Sequence, residues 1–149
     1  MAKKITVSDI NAKQKCIEYL RGLGYDNLRI ASRDDNCDII CYKDNSEFYF
    51  EVKFSSKEKG KFFGTVMLTE IYHAINNKLF YRFIVCRGES SEIKDWFFRI
   101  FEVDDFIKLC TLTTPIFHYH IYFDKDGKIT IPNFEEKTVV ANEKLVLNM

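Results

Sequence analysis

The stretch Cys37-Asp-Ile-Ile-Cys-Tyr-Lys-Asp-Asn-Ser-Glu-Phe-Tyr-Phe-Glu-Val-Lys-Phe54 reads as two β-strands folded back around a tight turn. Cys37–Tyr42 and Glu47–Phe54 are the strands, and Lys43-Asp44-Asn45-Ser46 is the turn. Alternate side chains of a strand point to opposite faces. Phe48, Phe50, Val52 and Phe54 therefore share one face, and Tyr49, Glu51 and Lys53 share the other, a non-core face or a cleft. A turn centred between Asp44 and Asn45 sets Asp38 directly across from Glu51. Residues so opposed hold their Cβ atoms about 4.5–5.5 Å apart.

Two carboxylates at that separation repel each other, and a divalent cation between them converts the repulsion into attraction. Mg²⁺ takes oxygen ligands, commonly one or two carboxylates with water and substrate phosphate. The backbone carbonyl of Val52 is near enough in sequence to add a third ligand. Lys53 then stands where an ammonium orients an attacking water or stabilises charge developing on a phosphate. Metal-activated attack of water on a phosphodiester is the reaction that suits this set. The competing reading is a cross-strand charge set on a solvated face, with Lys53 neutralising Glu51, because surface charge sets are common.

Outward from this hairpin the chain reads as mixed α/β. Residues 8–21 form a helix, with Ser8 as N-cap, an apolar stripe at Ile10, Cys16, Ile17 and Leu20, and a stop at Gly22-Leu23-Gly24. Asn27–Ala31 is a short strand. Lys57–Lys61 is a basic loop. Thr69 caps a helix over Glu70–Asn77, and Leu79–Arg87 and Trp96–Val103 are apolar strands. Asp104 and Asp105 open a short helix reaching about Cys110, where their charges suit the positive end of the helix dipole. Phe117–Phe123 and Lys128–Ile131 form a hairpin around Asp124-Lys-Asp-Gly127.

Composition narrows the function classes. The 149 residues are 46% hydrophobic and 15% aromatic, which argues for a packed core rather than disorder. Lys plus Arg and Asp plus Glu both number 22, so the chain is no generic basic coat for nucleic acid. Residues 1–99 nevertheless carry a net +3 and residues 100–149 a net −3. The five cysteines form no CxxC pair and no zinc spacing, which suits reduced thiols and a cytoplasmic location. No signal-like apolar run follows Lys3 and Lys4, and no stretch reaches the roughly 18 apolar residues of a membrane span. His118 and His120 share a strand face but lack a third ligand at helpful spacing. Asp124-Lys-Asp-Gly127 lacks the later ligands of a calcium loop. No GxGxxG, Walker A or GxSxG pattern occurs.

Asp38…Glu51-Val-Lys53, set after a helix and before a helix and an apolar strand, resembles the PD-(D/E)XK nuclease superfamily. Tyr19-Leu20, Gly24-Tyr25, Leu68-Thr69-Glu70 and Phe80–Val85 are similar to the corresponding parts of small Mrr-like modules. The resemblance spans about residues 8–103, leaving 104–149 as a C-terminal helix and hairpin extension of one domain. It implies a restriction-endonuclease-like α/β fold, a mixed sheet flanked by helices, and Mg²⁺- or Mn²⁺-dependent cleavage of DNA more than RNA, in restriction, defence or repair. Asp38 and Glu51 would be metal ligands and Lys53 the catalytic lysine. Members often add an acid or glutamine from the first helix, for which Gln14 and Glu18 are candidates, and Glu70 is a third accessory. Lys57, Lys59 and Lys61, directly after this set in sequence, are either a rim that contacts phosphates or a plain solvated loop. A homodimer is expected where both strands are cut, and the aromatics of residues 97–123 offer one interface. The alternative within the same fold is an inactive module that binds nucleic acid or a protein partner.

Overall fold

The computed structural model describes residues 9–55, 61–113, 116–131, 134 and 139–141. In chain order the elements are α1 (Asp9–Gly22), β1 (Asp26–Ile30), β2 (Ile39–Lys43), β3 (Ser46–Phe54), β4 (Lys61–Met67), α2 (Leu68–Asn76), β5 (Tyr81–Arg87), β6 (Phe97–Glu102), α3 (Val103–Lys108), β7 (Cys110–Thr113), β8 (Ile116–Tyr122) and β9 (Val139–Ala141). Short 3₁₀ turns cover Arg33–Asp35 and Ile93–Asp95.

The turn residues set the register of the central hairpin. Asp44 and Asn45 adopt φ of 52° and 65°. A type I′ turn needs positive φ at both central positions, and Asp and Asn enter that region more readily than other non-glycine residues. Lys43 therefore pairs with Ser46 and Ile39 with Phe50, the register expected from the sequence. Beyond the last pair, the Asp38 N–H donates to the Phe50 carbonyl at 2.9 Å.

β3 is the pivot of a six-stranded mixed sheet ordered β1-β2-β3-β5-β6-β9. It pairs antiparallel with β2 and parallel with β5, so that Glu51 lies beside Phe83 and Lys53 beside Val85. A parallel pair needs a long crossover, and residues 55–80, which include β4 and α2, provide it. The predicted mixed α/β architecture, a sheet flanked by helices, is the one the chain forms. No helix among the described residues is long and apolar enough to cross a membrane.

Each face of the sheet carries its own core. On one, Phe50 and Val52 of β3 pack with Ile84, Phe98 and Ile100 under Cys16 and Leu20 of α1. Tyr19 of α1 stacks on Phe98 with ring centroids 4.3 Å apart. On the other, Tyr81, Phe83 and Phe101 pack against Phe62 and Ile121 of a second sheet, ordered β4-β8-β7. Phe106 of α3 stacks on Phe83 at 4.2 Å. Each such aromatic contributes about 1.5–3 kcal/mol relative to an exposed position. The face of Glu51 and Lys53 is thus a second core with a cleft at its margin, and the solvated-face alternative does not hold.

Several expectations are corrected. β4 and β7 were not foreseen, since adjacent Phe62 and Phe63 followed by Gly64 blur the alternation of β4. Lys57 and Lys59 lie outside the described residues, and Lys61 opens β4 rather than closing a loop. Thr69 lies inside α2, whose N-cap position is Met67. Ser8 lies outside the described residues. Among the described residues the predicted hairpin of 117–131 shrinks to one bridge, Phe123 to Ile129, while β8 pairs with β4 along its length and with β7 over Ile116–Tyr119. The Asp124 carboxylate does organise the turn, accepting from the N–H groups of Asp126 and Lys128 at 2.8 and 2.9 Å. Phe97, Phe98, Phe101, Phe106 and Tyr119 are buried in the two cores, so they provide no dimer interface. All five cysteines are free, and four are buried.

Gly88, just past β5, packs under Trp96. A Cβ there would sit 2.2–2.5 Å from the indole ring atoms. Gly88→Ala is expected to cost about 1–3 kcal/mol through overpacking. Urea denaturation followed by the fluorescence of Trp96, the one tryptophan in the chain, measures this loss.

Candidate active site

The end of β2 and the middle of β3 place three of the predicted side chains together. Asp38 stands one residue before β2, where the ladder to β3 ends. Its Oδ2 accepts from the Val52 N–H at 2.7 Å, so the side chain occupies the next ladder position. Glu51 is buried in β3. Lys53, two residues on, holds its Nζ 3.5 Å from Glu51 Oε2.

Glu70 joins them from the first turn of α2. Its Oε1 accepts from the Met67 N–H at 2.7 Å, and its Oε2 lies 3.4 Å from Lys53 Nζ. One carboxylate therefore serves both as the acid of a helix N-terminus and as a member of the cleft. The fifth member was not foreseen. Lys13 of α1 sets its Nζ 3.2 Å from Asp38 Oδ1 and 2.8 Å from Asp9 Oδ2. Lys13, Ser32, Asn36, Asp38, Glu51 and Glu70 line an open cleft of about 290 Å³.

Gln14 and Glu18 do not reach it. Both are exposed, and Glu18 pairs with Lys15 at 3.3 Å. The expected stripe on α1 was centred about a third of a turn off. Ile10 is 51% exposed, whereas Ala12, Cys16, Tyr19 and Leu20 are buried. A stripe drawn through Cys16 and Leu20 extends back to Lys13 by helical spacing. That alignment was the signal available for Lys13. Lys57 and Lys59 lie outside the described residues, and the backbone of Lys61 lies in β4, paired with Tyr122. His118 and His120 both lie on β8, away from this set.

The electrostatics follow from burial. Glu51 titrates well above the ordinary carboxylate range. Burial is the largest cause, followed by its hydrogen bond to Glu70 and the charge of Asp38, with Lys53 opposing. Glu70 shifts the other way: burial raises it, but the hydrogen bond from Glu51, the charge of Lys53 and the Met67 N–H together outweigh burial. The shared proton thus resides on Glu51, which donates to the Glu70 carboxylate. Lys13 is raised, since its desolvation is outweighed by Asp9 and Asp38. Among the described residues, no three His, Cys, Asp or Glu side chains are grouped to hold a metal ion as they stand. The donor set is still the hard-oxygen type that Mg²⁺ prefers, and Mg²⁺ needs only one or two carboxylates when water completes its shell.

The proton on Glu51 has a consequence for stability. Below the ordinary carboxylate range Glu51 is protonated in both states. Above it, the unfolded chain releases a proton that the folded chain keeps, so stability falls as pH rises. Glu70 has the opposite sign, but its contribution is fully present once pH exceeds its unfolded value. Between about pH 5 and 9, thermal denaturation in chelator should show stability declining with pH. Glu51→Gln should flatten that decline and raise the melting temperature at its alkaline end.

No protein-family model matches the chain. No curated protein matches it in sequence. Among solved structures, the chain is similar to Hjc of Archaeoglobus fulgidus, a Holliday junction resolvase from an archaeal hyperthermophile. The identity is 15%, over 73% of this chain and 85% of that chain, with a TM-score of 0.49.

Proposed function

We propose that this chain is a metal-dependent nuclease of the PD-(D/E)XK, restriction-endonuclease-like type, a small Mrr-like module that hydrolyses phosphodiester bonds of DNA in restriction, defence or repair. The observation that carries the reading is that Asp38 and Glu51 line one cleft, with the Lys53 ammonium 3.5 Å from Glu51. They come from the end of one strand and the middle of its neighbour, in a sheet whose next pairing is parallel.

In this reading Asp38 and Glu51 hold Mg²⁺ or Mn²⁺, and the Val52 carbonyl is the third ligand. Support for Val52 comes from its N–H, which points to Asp38. A strand residue directs its N–H and C=O to the same side, and β2 has ended there. The bound ion would supply Lewis acidity toward a phosphoryl oxygen and a water of lowered pKa. Glu51 must give up its proton to become a ligand. Glu70 holds the Lys53 ammonium in the cleft, where Lys53 orients the attacking water or meets charge on the phosphate. Lys13 is a cation at the place where the superfamily often has an acid or glutamine. It adds no ligand and instead balances Asp38.

Coordinated cleavage of both strands would require two copies. The ammonium on Asp38 favours one competing reading, an inactive module of the same fold that binds nucleic acid through its cations. Metal separates the two.

Mg²⁺ or Mn²⁺ at a hundred times its dissociation constant should stabilise an active site by about 2.7 kcal/mol, read as a rise in melting temperature that Asp38→Ala abolishes. Purified protein incubated with plasmid, linear and single-stranded DNA, and with RNA, should cleave DNA with Mg²⁺ and not with chelator. Asp38→Ala or Lys53→Ala should slow cleavage by about a hundredfold or more with the fold intact. Cleavage that persists in both variants overturns the assignment.

A further inference from the structure

We infer that the outer face of α2 is the surface on which two copies of this chain pair. The helix is amphipathic on its buried side, where Ile71 and Ala74 enter the core. Its opposite side is apolar as well. Leu68, Tyr72 and Ile75 follow one another at helical spacing and are 53%, 71% and 50% exposed. Leu79, just past the helix, is 74% exposed, and Met67 is exposed at the helix start. An isolated exposed leucine is ordinary, but an unbroken apolar stripe along one helix is not.

Area and charge select the occupant. The five side chains present on the order of 500 Å² of largely apolar surface, taking a whole large side chain at about 150–200 Å². That is over half of the roughly 800 Å² that each partner buries in a standard interface. None of the five is charged. The neighbouring rim holds both signs in equal number, Lys78 with Asp104 at 3.6 Å and Arg82 with Glu102 at 3.8 Å. An apolar centre with a polar rim is the usual anatomy of an interface. A two-fold axis sets a patch against itself, and a neutral centre with a balanced rim meets its own copy without repulsion. Nucleic acid selects a different surface, since its interfaces are polar and strongly positive.

The inference deepens the pairing that cleavage of both strands would require, yet it rests on this surface and not on the chemistry of the cleft. α2 belongs to both features. Its first turn sends Glu70 into the cleft, so pairing along its outer face would hold two clefts in fixed relation.

Sedimentation velocity of the full chain, without metal or nucleic acid, tests the inference from micromolar to hundreds of micromolar concentration. The chain should form a dimer. Tyr72→Asp and Leu79→Lys should each weaken it at least tenfold, with circular dichroism and melting temperature unchanged. Ile10→Asp, an exposed apolar site on α1, should leave it intact and so controls for added charge. A monomer at every concentration overturns the inference. So does a dimer that survives both variants. Failure of the nuclease reading would leave these measurements unaffected, because none involves metal or cleavage.

Discussion

A carboxyl group buried in the central strand of a sheet is the constraint around which this molecule is organised. Burying an unpaired carboxylate is prohibitive, and proteins avoid it by protonating the group or pairing it. Glu51 does both. It keeps its proton, donates it toward Glu70, and has Lys53 at 3.5 Å. That arrangement requires α2 to begin where it does, so that the acid of its first turn reaches the strand. It also requires Lys53 on the same strand face, two residues along.

The same strand explains why the cleft sits beside apolar packing. β3 has a fully apolar face against α1, while its second face is split. Tyr49 packs at the margin of the second core, and Glu51 and Lys53 stand at the border of the cleft. The three-stranded sheet covers the adjoining Phe83 and Phe101, and Asp38, Glu51 and Glu70 line an open cleft. Such partial enclosure strengthens electrostatic interactions while leaving room for a ligand.

The formal neutrality of the whole chain resolves into local imbalance when mapped on this fold. Removing Asp38 and Glu51 from the tally leaves residues 1–99 at a net +5. Affinity for a phosphate backbone would then depend on the site and its rim rather than on a diffuse positive field.

Local rules made a good part of the fold legible. Asp44 and Asn45 favour the left-handed conformation, and that preference set the hairpin register from Lys43–Ser46 to Ile39–Phe50, which brings Asp38 to the end of the ladder beside β3. Period-two alternation separated the two faces of β3, and Gly24, at φ 99°, marked the end of the first helix. Those signals live within a few residues. Lys13 was missed because the stripe was drawn through Ile10, which, although apolar, turns outward. β8 read as half of a hairpin because a sequence does not show which strands will claim its two edges. The exposed apolar face of α2 was hidden for the same reason, since a stripe at helical spacing looks alike whether it meets a core or water. What residues prefer locally, they prefer before the chain folds. Which elements meet is settled by competition for apolar surface and strand edges across the whole chain, and here that competition brought Lys13 and Glu70 to the carboxylates.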